Sequence, residues 1–141
     1  MNTKFVRCFV LACATAMIAL STGCGSGNTR GGVPCTADVR PAVSVSVYDS
    51  KTGKPAAQDA VATLSDGAYT ERMRPGGSDI TSTGAFVLVS FAGGDERVGT
   101  YKVHIEKAGY QPWEKTGIVV ERDVCHVIGV NLRADLIPVG N

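Results

Sequence analysis

Side chains suited to catalysis or ligand stacking are scarce in this chain. Aromatic residues make up 6% of its 141 residues, with a single Trp, and there are two histidines, His104 and His126. No Gly-x-Ser-x-Gly, no HExxH, no phosphate-cradling glycine loop opening a helix and no EF-hand-like acidic loop occurs, so the common nucleophile, zinc-peptidase, nucleotide and calcium signatures are missing. No block of like charge stands out either. The 14 cations and 13 acids are interspersed, which argues against a nucleic-acid surface. No apolar run reaches the roughly 20 residues of a membrane-spanning helix.

The start of the chain has a clear layout. Met1 to Arg7 carries Lys4 and Arg7 and no acid; Cys8 to Leu20 is an uncharged, mostly apolar run of 13 residues; Ser21-Thr22-Gly23 are small, and Cys24 follows. This is the n-region, h-region and small-residue cleavage site of a secretory signal, expected to be helical over residues 1–23. It resembles the bacterial lipoprotein signal, in which the Cys after the cut receives lipid, although Ser21 stands where Leu is usual. The resemblance implies cleavage between Gly23 and Cys24, acyl chains on Cys24, and a membrane as partner through that anchor. Gly25 is not the Asp that retains enteric lipoproteins at the inner membrane, so the expected location is the outer membrane of a Gram-negative envelope. Gly25-Ser26-Gly27-Asn28 has the composition of a flexible tether, which is expected to run over residues 24–38.

Removing residues 1–23 leaves 118, enough for one domain with a modest core. Lys4 and Arg7 leave with the signal, so 12 cations face 13 acids and the balance is −1. Of five cysteines, Cys8 and Cys13 go with the signal and Cys24 goes to lipid. Cys35 and Cys125 remain, and an oxidising envelope would join them. The alternative is a metal or thiol site using Cys35, Cys125 and His126, for which no CxxC or second nearby His provides support.

After the tether the dominant period is two. Val43, Val45 and Val47 alternate with Ser44, Ser46 and Tyr48; Ala60, Ala62 and Leu64 lead into the hairpin signal Asp66-Gly67; Ala68 to Met73 would return. Ala85 to Ala92, Tyr101 to Ile105, Trp113 to Glu121, and Ile128 to Leu132 complete seven strands at short, regular spacing. Asp49 to Pro55 and Arg74 to Asp79 are expected as loops. The fold expected over residues 39–135 is an all-β, about seven-stranded antiparallel sandwich, with 136–141 a loose tail. Its core would hold Val43, Val45, Val47, Leu64, Tyr101, Val103, Ile105, Ile128, Val130 and Leu132.

Together, Val45-x-Val47-x-Asp49-x-x-Thr52-Gly53-x-Pro55, Leu64-x-Asp66-Gly67, Thr83-Gly84-x-Phe86 and Gly99-x-Tyr101-x-Val103-x-Ile105-x-x-x-Gly109-Tyr110 resemble the carboxypeptidase regulatory-like domain. That resemblance implies a transthyretin-like (prealbumin-like) sandwich in which the first and last strands share a sheet. Cys35 and Cys125 would then meet at the sheet margin. It also implies an accessory module for contact or spacing rather than chemistry. Ser82-Thr83-Gly84 replaces the acidic residues many relatives carry there, so no cation site is carried over.

The functional expectation is a non-enzymatic outer-membrane lipoprotein, without cofactor or metal, whose sandwich binds or scaffolds an envelope protein or glycan. An alternative is a polysaccharide- or peptidoglycan-binding module using Tyr110 and Trp113. A more distant one is an enzyme like the hydroxyisourate hydrolases of the transthyretin-like fold, but their C-terminal Tyr-Arg-Gly-Ser has no counterpart in Leu136 to Asn141. His104, alternating with Lys102 and Glu106, is expected on the wet face. His126 is expected as a satisfied histidine at the edge of the core, and Asp66, Asp79, Asp95 and Glu96 as water-facing loop carboxylates.

Overall fold

The computed structural model describes residues 33–140; the expected signal, the Gly23–Cys24 cleavage site and the first part of the tether lie outside the described residues. Eight strands and no helix occur among the described residues: β1 (Val43–Asp49), β2 (Val61–Asp66), β3 (Tyr69–Arg72), β4 (Arg74–Ile80), β5 (Phe86–Gly93), β6 (Gly99–Glu106), β7 (Trp113–Val120) and β8 (Val130–Leu136). They form two four-stranded sheets, ordered β4-β5-β1-β8 and β3-β2-β6-β7. The all-β sandwich expected from the alternation is therefore the observed architecture.

The period-two rows face each other across one core. Val43, Val45 and Val47 of β1, Leu64 of β2, and Tyr101, Val103 and Ile105 of β6 are all essentially inaccessible to water, while the residues between them point outward, as the pleat demands. Asp66-Gly67 makes the β2–β3 hairpin, with Asp66 opposite Tyr69. Gly67 takes a φ of +57° there, a conformation costly for other residues.

Three expectations change. First, Arg74 to Ile80 is a strand rather than a loop, which raises the count from seven to eight. Every residue of β4 is exposed, and its pairing with β5 is broken by register shifts around Gly77. An edge strand with no buried side chain needs no alternation and tolerates Pro75 and two glycines, so it leaves no periodic trace.

Second, the last strand starts two residues later and ends later than its apolar pattern suggested. Ile128 is 54% exposed, ahead of the strand, whereas Ala134 and Leu136 are buried and Val130 and Leu132 pack half-buried against the core. The inward parity was right, but a small Ala134 beside Asp135 hid the continuation. Residues beyond it are not loose either: Gln111 N donates to Ile137 O at 2.8 Å, and Val139 N donates to Gly109 O at 2.9 Å.

Third, the sandwich is not wholly antiparallel. β1 and β8 pair in parallel from Val43–Val130 through Asp49–Leu136. The first and last strands are thus neighbours that begin at the same end of the sheet.

Leu64→Ala should remove about 2–5 kcal/mol of stability in urea unfolding because Leu64 is fully enclosed. Ile128→Ala should change it by less than about 0.5 kcal/mol.

Candidate functional site

Polar side chains converge most densely at the end of the sandwich where β1 and β8 begin. Cys35 and Cys125 are joined there, with Cα atoms 5.3 Å apart. The bond places the next residue of each segment side by side: Thr36 Oγ1 lies 3.0 Å from His126 Nε2. The other ring nitrogen, Nδ1, is 2.8 Å from Glu96 Oε1. His126 is 6% exposed, and both of its nitrogens have partners, as expected of a satisfied edge-of-core histidine.

Glu96 is the hub of this cluster rather than a water-facing carboxylate. It sits in the β5–β6 loop at φ +51°, left-handed for a non-glycine residue, a conformation that persists only where surrounding contacts hold it. Its Oε1 accepts from Arg40 N at 2.9 Å as well as from His126. Its own N–H donates to Arg40 O at 2.9 Å, and Oε2 accepts from Val127 N at 3.3 Å. The Arg40 amide foremost, and then His126, holds its carboxyl below the ordinary value of 4.5. Asp123 organises the facing loop, its Oδ1 accepting from Cys125 N at 2.7 Å and His126 N at 2.8 Å. Those amides, His126 first, hold Asp123 below its ordinary value of 3.8.

Hydroxyl, imidazole and carboxylate stand in series here. Thr36 donates its single hydroxyl proton to Asp38 Oδ2 at 2.9 Å. Nδ1 of His126 donates to Glu96, whose carboxylate can only accept, and Nε2 meets the Thr36 oxygen. Held from both sides, the ring of His126 fastens Glu96 to Thr36. The amides of Arg40, Cys125 and His126 are likewise spent on Glu96 and Asp123, leaving none of them to stabilise an oxyanion. What these groups do is clasp the segment Val33 to Arg40 to the domain. Two open hollows flank the clasp, one of about 350 Å³ bordered by Val33 and Val124, the other of about 360 Å³ bordered by Ile128.

The other singled-out residues are spread over the molecule. Tyr110 donates its hydroxyl to Asp49 Oδ2 at 2.8 Å, which raises the phenol pKa. Its ring and that of Trp113 pack half-buried against the core, as most Tyr and Trp rings in small sandwiches do. His104 Nε2 lies 3.2 Å from Glu106 Oε1 on the outer face, as alternation placed it. Cys24 is outside the described residues. Among the described residues, no group of three His, Cys, Asp or Glu side chains could hold a metal ion.

A second cluster had no signature in the sequence. Arg97 stacks 4.2 Å above the Tyr69 ring. It also binds Asp66 Oδ2 at 2.8 Å and the Tyr101 hydroxyl at 2.9 Å, so Asp66 is paired rather than simply solvated. Burial, and after it Glu71, pushes the Tyr69 phenol up to about 12. This cluster locks the Asp66-Gly67 hairpin to the β5–β6 loop. Only the Asp-Gly turn was visible in advance.

No protein-family model matches the chain, and no curated protein matches it in sequence.

Replacing both Cys35 and Cys125 by Ser should lower stability in urea by up to about 4–5 kcal/mol, the loop-closure value for a loop of this length. Amide exchange should then speed up selectively in residues 33–40.

Stability should also fall in acid, because Glu96, Asp123 and Asp49 all have lowered pKa values in the folded state. Such groups stabilise the fold above their unfolded values of 3.8 to 4.5, and that contribution disappears as pH falls through the folded values. Glu96→Gln should be less stable than the wild type at pH 7, and the gap should narrow as pH is lowered below about 4.5.

Proposed function

We propose that this protein is a lipid-anchored, non-enzymatic module of the bacterial envelope, acylated on Cys24 and held at the outer membrane. Its sandwich serves as a contact or scaffolding domain for an envelope protein or glycan. The observation that carries this reading is the Cys35–Cys125 bond. A structural disulfide belongs to an oxidising compartment. This one fastens the domain 11 residues after the Cys that the signal-like start prepares for lipid. A short exit from the membrane followed at once by a covalent fastening is how a small domain is kept both near a surface and folded.

We further read the domain as transthyretin-like, of the carboxypeptidase regulatory-like kind. Support comes from the adjacency of the first and last strands in one sheet. Fold likeness bears on architecture and leaves function to the site. Here the densest polar cluster spends its donors on holding the chain together, which favours a scaffold over a hydrolase. The glycan-binding alternative loses ground because Tyr110 and Trp113 pack against the core.

Cys24→Ser should prevent incorporation of labelled fatty acid and move the protein from the membrane pellet to the soluble fraction. Unchanged labelling and membrane retention of that variant would overturn the proposal.

A further inference from the structure

The end of the sandwich that carries the clasp is also lined with exposed apolar side chains. Val33 is 62% exposed, Val124 79% and Ile128 54%. Val33 and Val124 border one hollow and Ile128 borders the other, and Arg40 and Asp123 are common to both, so these side chains share one surface. Such a rim on a small domain calls for a partner.

The length of chain preceding that rim selects the partner. Val33 lies nine residues after Cys24, and nine residues span at most about 30 Å whatever path they take. If Cys24 carries acyl chains, this end of the domain can never leave the neighbourhood of the bilayer. The opposite end, with exposed Ile80 and Phe86, lies a strand length further away.

Most carboxylates at this end are engaged within the domain. Asp38 accepts from Thr36, Glu96 and Asp123 are engaged by backbone amides, and Asp95 pairs with Arg74 at 2.9 Å. Arg40 is exposed and can donate to phosphate oxygens, whereas Arg122 is paired with Glu96 at 3.7 Å. Five carboxylates stand at this end, Asp38, Asp95, Glu96, Glu121 and Asp123, against Arg40, Arg74 and Arg122, so the rim has no net positive field and its attraction to lipid is apolar.

We propose that this end of the domain lies on the phospholipid surface, with Val33, Val124 and Ile128 entering the boundary between headgroups and acyl chains. The inference rests on acylation of Cys24 and deepens that reading: the anchor fixes orientation as well as location. The protein stands on its clasp end and presents the Ile80–Phe86 end to the periplasm or medium.

The test uses the acylated protein in phosphatidylethanolamine–phosphatidylglycerol vesicles with brominated acyl chains, which quench a nearby indole. Trp113 opens β7, whose far end pairs with Gly99, so it stands about 20 Å from the clasp end. It should remain bright. In a Trp113→Phe background, Val124→Trp and Ile128→Trp should each lose about half of their emission, whereas Phe86→Trp should not. The loss should persist in about 1 M salt, where a charge-held contact would be screened. Equal fractional loss of emission by Val124→Trp, Ile128→Trp and Phe86→Trp in protein that floats with the vesicles would overturn the orientation while leaving the anchor standing. Quenching that salt abolishes would overturn the apolar contact. Absence of acyl mass on Cys24 together with failure to float would overturn the anchor itself, and the orientation with it. Two positions are used so that a folding failure at one, seen in its thermal unfolding, leaves the other to decide.

Discussion

The parallel pairing of β1 with β8 is the constraint on which the rest of this domain depends. A parallel pair cannot be closed by a tight turn, so everything between the two strands must form a single excursion that returns to its starting end. That excursion supplies β2 to β7, including the whole second sheet. Its return brings Arg122 to Gly129 beside the segment that precedes β1. Disulfide, His126, Glu96 and Asp123 all occupy the space created by this convergence, and none could meet if the last strand ran the other way.

The clasp extends that pairing beyond the end of the ladder. Backbone donors that no neighbouring strand can satisfy here, those of Arg40, Cys125, His126 and Val127, are taken by two carboxylates, Glu96 and Asp123. Buried polar groups are costly when unpaired, so the two acids complete the domain's hydrogen bonding where the sheet stops. The left-handed backbone of Glu96 is the local cost. At the same end, Arg97 performs a similar service for the hairpin through Asp66 and the two tyrosines.

Legibility followed the physics of each element. Val43, Val45 and Val47, and Tyr101, Val103 and Ile105, announced themselves because one face of each strand is dry and the other wet. β4 was silent because both of its faces are wet, and Pro75, Gly76 and Gly77 read as a turn whenever burial does not contradict them. Ala134 was overlooked because a small residue contributes little to a hydrophobic pattern even when fully enclosed. The cysteine pair could be found by elimination, and Asp66-Gly67 by its turn chemistry. The role of Glu96 could not be found this way, since a carboxylate beside Asp95 in a glycine-rich loop looks solvated until Arg40 and His126 are brought to it from opposite parts of the chain.

The covalent link also decides how the domain answers to force. Traction on the segment before Cys35 does not reach β1 alone; it divides across the sulfur bridge to Cys125, eight residues before β1 on one branch and five before β8 on the other. Because the two strands are parallel and start level, both are drawn from matching ends in one direction, and the ladder between them is neither sheared nor peeled open. A pull at the base lifts the sandwich as a unit, while one applied at a strand in the middle of the chain would meet no such safeguard.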